Sequence, residues 1–166
     1  MIIGVISDTH IPDRARKLPT EVVEAFKKVD MIIHAGDMAE KKVLDDLKKL
    51  CPQVVAVSGN MDPESIRHLA PAKQIITIQG HRIGITHGAG NPKNLPAYLA
   101  QAFKDDAVEA IVFGHSHTTC NEVRGEVLYF NPGSPTDTLF APYLSYGILK
   151  VGKEIQGTIV KLENQA

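Results

Sequence analysis

The sequence predicts an α/β fold in which two mixed β-sheets pack face to face with helices covering the outside, and three observations predict it. The first half of the chain alternates short, β-branched apolar runs with segments whose apolar residues recur at helical spacing. From Gln74 onward, strand-like runs pair across two-residue connections containing glycine, the mark of antiparallel hairpins. Five of the runs end abruptly in aspartate, asparagine or histidine. At 166 residues the chain can bury one substantial core and is short for two, so a single domain over 1–166 is expected.

Met1 to Ile6 is an almost unbroken apolar run of strand length that stops at Ser7-Asp8-Thr9-His10. Pro19 to Lys28 reads as a helix, with proline and acidic residues early, lysines late, and Val22, Val23 and Phe26 as its apolar stripe. Met31 to His34 is a second strand ending in Ala35-Gly36-Asp37, and Lys41 to Leu50 is a second helix. Gln53 to Val57 is a third strand closed by Ser58-Gly59-Asn60-Met61-Asp62, with a short helix from Pro63 to Leu69 behind it. Strand-helix repetition of this kind implies parallel neighbours with right-handed crossovers. Gln74 to Gln79 and Arg82 to Thr86 form a hairpin through Gly80-His81, and the second of these strands leads into His87. Pro96 to Lys104 is a helix, and Ala110 to Phe113 a strand terminating in Gly114-His115-Ser116-His117. The last third reads as antiparallel sheet: Asn121 to Val123 with Glu126 to Phe130, then Tyr143 to Val151 with Glu154 to Lys161. Between the two pairs lies the turn-rich Asn131-Pro132-Gly133-Ser134-Pro135.

Parallel strands place their C-terminal ends along one edge, where α/β proteins bind ligands, so Asp8, His10, Asp37 and Asn60 should converge. His87, His115 and His117 arrive at strand ends of the same kind. Taken singly each has an ordinary explanation, as a helix cap, a turn residue or a partly buried imidazole. Taken together they form a donor set of carboxylate, imidazole and amide with no thiolate, suited to Mn²⁺, Fe²⁺, Co²⁺, Ni²⁺ or Zn²⁺. Seven donors exceed the need of one ion. Two ions about 3.5–4 Å apart and sharing a carboxylate use them economically, with Asp37 as the natural bridge.

Asp8-Thr9-His10, Gly36-Asp37, Gly59-Asn60, His87 and Gly114-His115-Ser116-His117 resemble, in order and approximate spacing, the calcineurin-like metallophosphoesterase signature. The size and the Asn131-Pro132-Gly133-Ser134 loop are similar to the compact phosphodiesterase branch of that family, related to the retromer scaffold subunit. The resemblance implies a four-layer sandwich of two mixed sheets between helices. It places Asp8, His10 and His117 on one metal, Asn60, His87 and His115 on the other, and Asp37 on both. Asp37, Asn60 and His87 are then the expected catalytic residues, and Arg14, Asn60 and His87 the candidate contacts to substrate. Two positions depart from the pattern: Met61 stands where many members have a histidine that can protonate the leaving oxygen, and Ala89 where relatives often read His-Gly-His.

The implied function is a dimetal phosphoesterase, foremost a phosphodiesterase, working by in-line attack of a metal-bridging hydroxide on phosphorus. Its cofactors are two divalent ions, Mn²⁺ first, with Ni²⁺, Co²⁺, Fe²⁺ or Zn²⁺ as substitutes. Its substrate is a small phosphodiester, with nucleic-acid ends still open. The alternative is a scaffold of the same fold that binds metal and recruits a partner with little activity. Hydrophobic residues are 43%, charged residues 22% and net charge is -1, so the whole-chain balance does not point to a nucleic-acid or membrane-surface binder. Strand-sized apolar runs and an N-terminus that opens on a core strand lead us to expect a cytoplasmic protein without a membrane span. Cys51 and Cys120 fit reduced thiols, and a homodimer or tetramer is expected.

Overall fold

The computed structural model describes residues 1–163. In chain order the elements are β1 (Ile2–Ile6), α1 (Thr20–Phe26), β2 (Met31–His34), α2 (Lys41–Leu50), β3 (Val54–Ala56), α3 (Glu64–Arg67), β4 (Lys73–Ile78) and β5 (His81–Thr86). They continue with α4 (Leu95–Ala102), β6 (Ala110–Val112), β7 (Cys120–Arg124), β8 (Val127–Asn131), β9 (Ser145–Val151) and β10 (Ile155–Lys161).

The strands form two five-stranded mixed sheets, ordered β10-β9-β1-β2-β3 and β4-β5-β6-β8-β7. β1, β2 and β3 are parallel, with Val5 beside Ile33 and Ile33 beside Val55. Their near-continuous apolar sequences follow from burial on both faces. Ile3, Val5 and Ile33 point to the space between the sheets, where they meet Ile83, Ile85, Val112 and Phe130 of the second sheet. Ile6 and Ile32 point the other way, onto Val22 and Phe26 of α1, Leu47 of α2 and Ile66 of α3. On the far side of the second sheet, Leu95, Leu99 and Phe103 pack on Ile111 and Tyr129. The result is the expected four layers, helices outside and two sheets within. Each fully buried Ile or Phe contributes about 1.5–3 kcal/mol to holding them together.

Three details differ from the sequence reading. The β4-β5 turn is Gln79-Gly80, one residue earlier than expected, with positive φ at both positions (+51° and +90°) as the hairpin twist demands. His81 therefore belongs to β5, where its Nδ1 lies 2.8 Å from Glu109 Oε2 and its Nε2 3.1 Å from Gly152 O in the β9-β10 turn. Finally, the two late hairpins are antiparallel within themselves but go to different sheets, and β8 pairs parallel with β6.

Candidate metal centre

The loops after β1, β2, β3, β5 and β6 meet along one edge and are hydrogen-bonded to one another. Asp8 N donates to Gly36 O (3.0 Å), His10 N to Asp37 O (3.0 Å) and Gly114 N to His87 O (3.1 Å). To turn their side chains inward, Asp8, His10, Asp37, His115 and His117 all adopt left-handed backbone, with φ from +41° to +70°. Such a conformation costs an L-residue on the order of 1 kcal/mol, so its concentration here marks a site that the rest of the fold holds under strain. Gly36 makes room: at φ +95°, a Cβ there would stand 2.7 Å from His87 Nδ1.

Each carboxylate has one oxygen anchored and one turned to the centre. Asp8 Oδ2 accepts from Ser7 Oγ (2.6 Å) and His115 N (3.1 Å), and Asp37 Oδ1 accepts from Met61 N (2.8 Å). Asp8 Oδ1 then lies 3.3 Å from His117 Nε2, 3.7 Å from His87 Nε2 and 4.0 Å from His10 Nε2. Asp37 Oδ2 lies 3.2 Å from His87 Nε2 and 3.7 Å from His10 Nε2.

Two imidazole protons are committed elsewhere: His87 Nδ1 donates to Ala35 O (2.7 Å) and His115 Nε2 to Gly90 O (2.7 Å). His117 Nδ1 stands 2.7 Å from Asp137 Oδ2 in an ion-pair contact that lacks hydrogen-bond geometry. In their neutral forms His87 and His115 each present a lone pair to the centre. His115 Nδ1 faces Asn60 Oδ1 at 3.1 Å, acceptor to acceptor, and the buried His10 Nε2 and His87 Nε2 have no hydrogen-bond partner. Only protons or cations can reconcile so many converging acceptors. Without a cation, protons do it. Burial alone would push His87 down, but its close contact with Asp37 and the charge of Asp8 outweigh that and raise it to about 9. His117 is likewise pushed down by burial and raised overall by Asp8 and Asp137. Burial would raise Asp37, yet His87 holds it below the ordinary carboxylate range. The donors of Asp8, His10 and His117, and those of Asp8, Asp37 and His87, each lie within 4.8 Å of one another. The residues present therefore fit divalent cations.

All seven expected donors thus come together, Asn60 and His115 as a pair beside His87, whose ring centroid is 5.3 Å from that of His115. Arg14 reaches the same edge, but its Nε is 3.5 Å from Asp137 Oδ2. Arg16 and Lys17 instead line a cavity with Leu18, Val23, Val43 and Leu50.

Asp137 was not singled out in the sequence, because it lies beyond the end of β8 among turn residues and does not itself end a strand. Its Oδ2 stands 2.7 Å from Nδ1 of His117, one of the converging imidazoles. Burial would raise its pKa, but the N–H groups of Leu139 and Phe140 lead the contacts that lower it. The Asp62 carboxylate accepts from the N–H groups of Asp37, Met38, Ala39 and Gly59 at 2.8–3.0 Å, tying the loops after β2 and β3 together. His34, at the end of β2, supports the neighbouring loops. Its Nδ1 accepts from Gly36 N (3.2 Å), its Nε2 faces Thr9 Oγ1 (3.0 Å), and burial lowers it to about 4. In the Asn131–Ser134 loop Gly133 N is taken by Asn131 Oδ1, and Ser134 Oγ accepts from Thr136 N and Asp137 N. Its work is to clamp, through Ser134 Oγ on Asp8 O (2.7 Å), Thr136 Oγ1 on Thr9 O (2.7 Å) and Asn131 Nδ2 on Gly114 O (2.9 Å).

Residues 1–154 match the model of the calcineurin-like phosphoesterase superfamily domain. The chain belongs to that superfamily. This calcineurin-like phosphoesterase is 40% identical to a probable metallophosphoesterase of Methanocaldococcus jannaschii over 98% of its own length and 82% of the relative's. It is 35% identical to phosphodiesterase YfcE of Escherichia coli over 67% of its length and 60% of that protein's. Its fold matches the crystal structure of Chaetomium thermophilum Vps29 with a TM-score of 0.81 at 21% identity, over 97% of this chain and 96% of that one. Calcineurin-like phosphoesterases use divalent metal ions and act on phosphate esters, in keeping with the donor set described above. Within this calcineurin-like phosphoesterase, Met61 contributes a backbone N–H to Asp37 and leaves its side chain 63% exposed. No helix among the described residues is long and apolar enough to cross a membrane.

Proposed function

We propose that the chain is a phosphodiesterase that works with two divalent ions, Mn²⁺ foremost, and hydrolyses a small phosphodiester. The observation that carries this is the convergence of imidazole nitrogens on two carboxylate oxygens, Asp8 Oδ1 and Asp37 Oδ2 lying 3.7 and 3.2 Å from the same His87 Nε2. Asp8, His10 and His117 would hold one ion, Asn60, His87 and His115 the other, with Asp37 Oδ2 turned to both. When bound, such ions supply an acidified water and neutralise the charge that spreads over the phosphoryl oxygens. The chain's own part is to fix that arrangement: Ser7 Oγ and Met61 N–H hold the outer carboxylate oxygens, Ala35 O and Gly90 O fix the tautomers of His87 and His115, and Asp137 pairs with His117. Position 61 offers no proton to a departing oxygen, since a thioether cannot donate one. This favours diesters with good leaving groups over alkyl monoesters.

The test is turnover of bis(4-nitrophenyl) phosphate and of 4-nitrophenyl phosphate by metal-stripped protein before and after adding Mn²⁺, Ni²⁺, Co²⁺ or Zn²⁺, with bound metal counted. Metal-dependent turnover with diester above monoester is expected, and Asp37→Ala should lose both ions and the activity. Two bound ions without turnover of either compound would favour the scaffold reading that the fold shared with Vps29 suggests. No bound metal would overturn the proposal.

A further inference from the structure

Met61, Leu139 and Phe140 are among the few large apolar side chains that stand mostly in solvent. Met61 lies in the loop after β3, with its N–H on Asp37, and Leu139 and Phe140 lie in the loop between β8 and β9, with their N–H groups on Asp137. An exposed phenylalanine is unremarkable when it hangs free on a surface. Phe140, 68% exposed, is held on several sides. Asp137 Oδ1 accepts from Leu139 N (2.8 Å) and Phe140 N (3.3 Å), which sets the turn. The ring stands edge-to-face with that of His117 at 6.0 Å between centroids, and the Arg14 guanidinium carbon lies 5.4 Å from its centre. One carboxylate, Asp137, thus organises a metal-ligating histidine, a cation and an exposed aromatic ring.

Resting on the phosphodiesterase reading, we propose that Phe140 and Arg14, held by Asp137, form a subsite beside His117 for a flat aromatic group, aryl or nucleobase, attached to the substrate phosphate. A planar ring gains from packing on an aromatic face and a guanidinium, and an ordered wall loses little freedom when the ligand arrives. The adjacent cation suits a group that carries an anionic phosphate at one end.

The experiment measures the affinities of phenyl phosphate and methyl phosphate for metal-loaded protein, both by calorimetry and as inhibitors of bis(4-nitrophenyl) phosphate turnover. Phenyl phosphate should bind on the order of tenfold more tightly than methyl phosphate. Phe140→Ala should abolish that preference while methyl phosphate affinity and metal content stay as in the parent, and Phe140→Trp should keep it. A preference that survives in Phe140→Ala, or that is missing from the parent, overturns the subsite. Turnover without the preference leaves the enzyme reading intact and removes the subsite. A Phe140-dependent preference without turnover keeps the aromatic subsite and removes the phosphodiesterase.

Discussion

Free of metal, His87 is held protonated by two carboxylates, so metal has to displace a proton to reach its Nε2. With a pKa of about 9 in the folded protein, His87 should make metal affinity rise with pH from 6 to 8, with proton release on binding. Titration calorimetry in buffers of different ionisation enthalpy measures both, and an affinity flat across that range would contradict the account. The same shift fixes the sign for the metal-free fold. Its value lies above the ordinary 6.5, so the stability that protonated His87 contributes is fully present below pH 6.5 and lost as pH rises through about 9. The convergence of all seven of these side chains was legible in the sequence, because each follows the end of an apolar strand. Asp137 was not, since its partnership with His117 spans 20 positions of chain and no periodicity announces it.

Among elements, the loops matter more than the strands that carry them. Strand direction brings the donors to one edge, but left-handed backbone at Asp8, His10, Asp37, His115 and His117 turns them inward, and side chains from other loops keep it so. Asp62 is the clearest of these supports, with backbone N–H groups of two loops on one buried carboxylate. Asp62→Ala should lower stability by about 3 kcal/mol, because those donors lose a charged acceptor out of reach of water. Urea unfolding should show this as a lower midpoint at unchanged slope, together with weaker metal binding. A wild-type midpoint would mean that the loops hold their shape without it. The turn residues of the Asn131–Ser134 segment were visible in the sequence. Their use as a clamp on Asp8 O, Thr9 O and Gly114 O was not, since a turn sequence does not say what its side chains reach.

Over the whole molecule, metal binding and folding are linked, because the donors come from loops of both sheets and converge only when the sandwich is assembled. A saturating divalent ion should therefore stabilise the fold, by about 2.7 kcal/mol at a hundredfold excess over Kd. The thermal midpoint should rise with Mn²⁺ concentration in the parent and stay put in Asp37→Ala. A midpoint indifferent to metal in the parent would place the ions outside the fold's cooperative unit.

The sequence by itself determined the α/β class, the parallel β1-β2-β3 core, the hairpins and which polar side chains gather at one edge. These depend on local periodicity and on which residue follows a strand, and both are written in consecutive positions. Only the tertiary structure decided that the β7-β8 hairpin joins the second sheet and β9-β10 the first, that His81 links β5 to the β9-β10 turn, and that Asp137 gathers His117, Arg14 and Phe140. Hairpins of similar apolar character can dock on either sheet edge, and the choice rests on packing across the sandwich. Side-chain contacts between distant loops likewise exist only once that packing has brought the loops together.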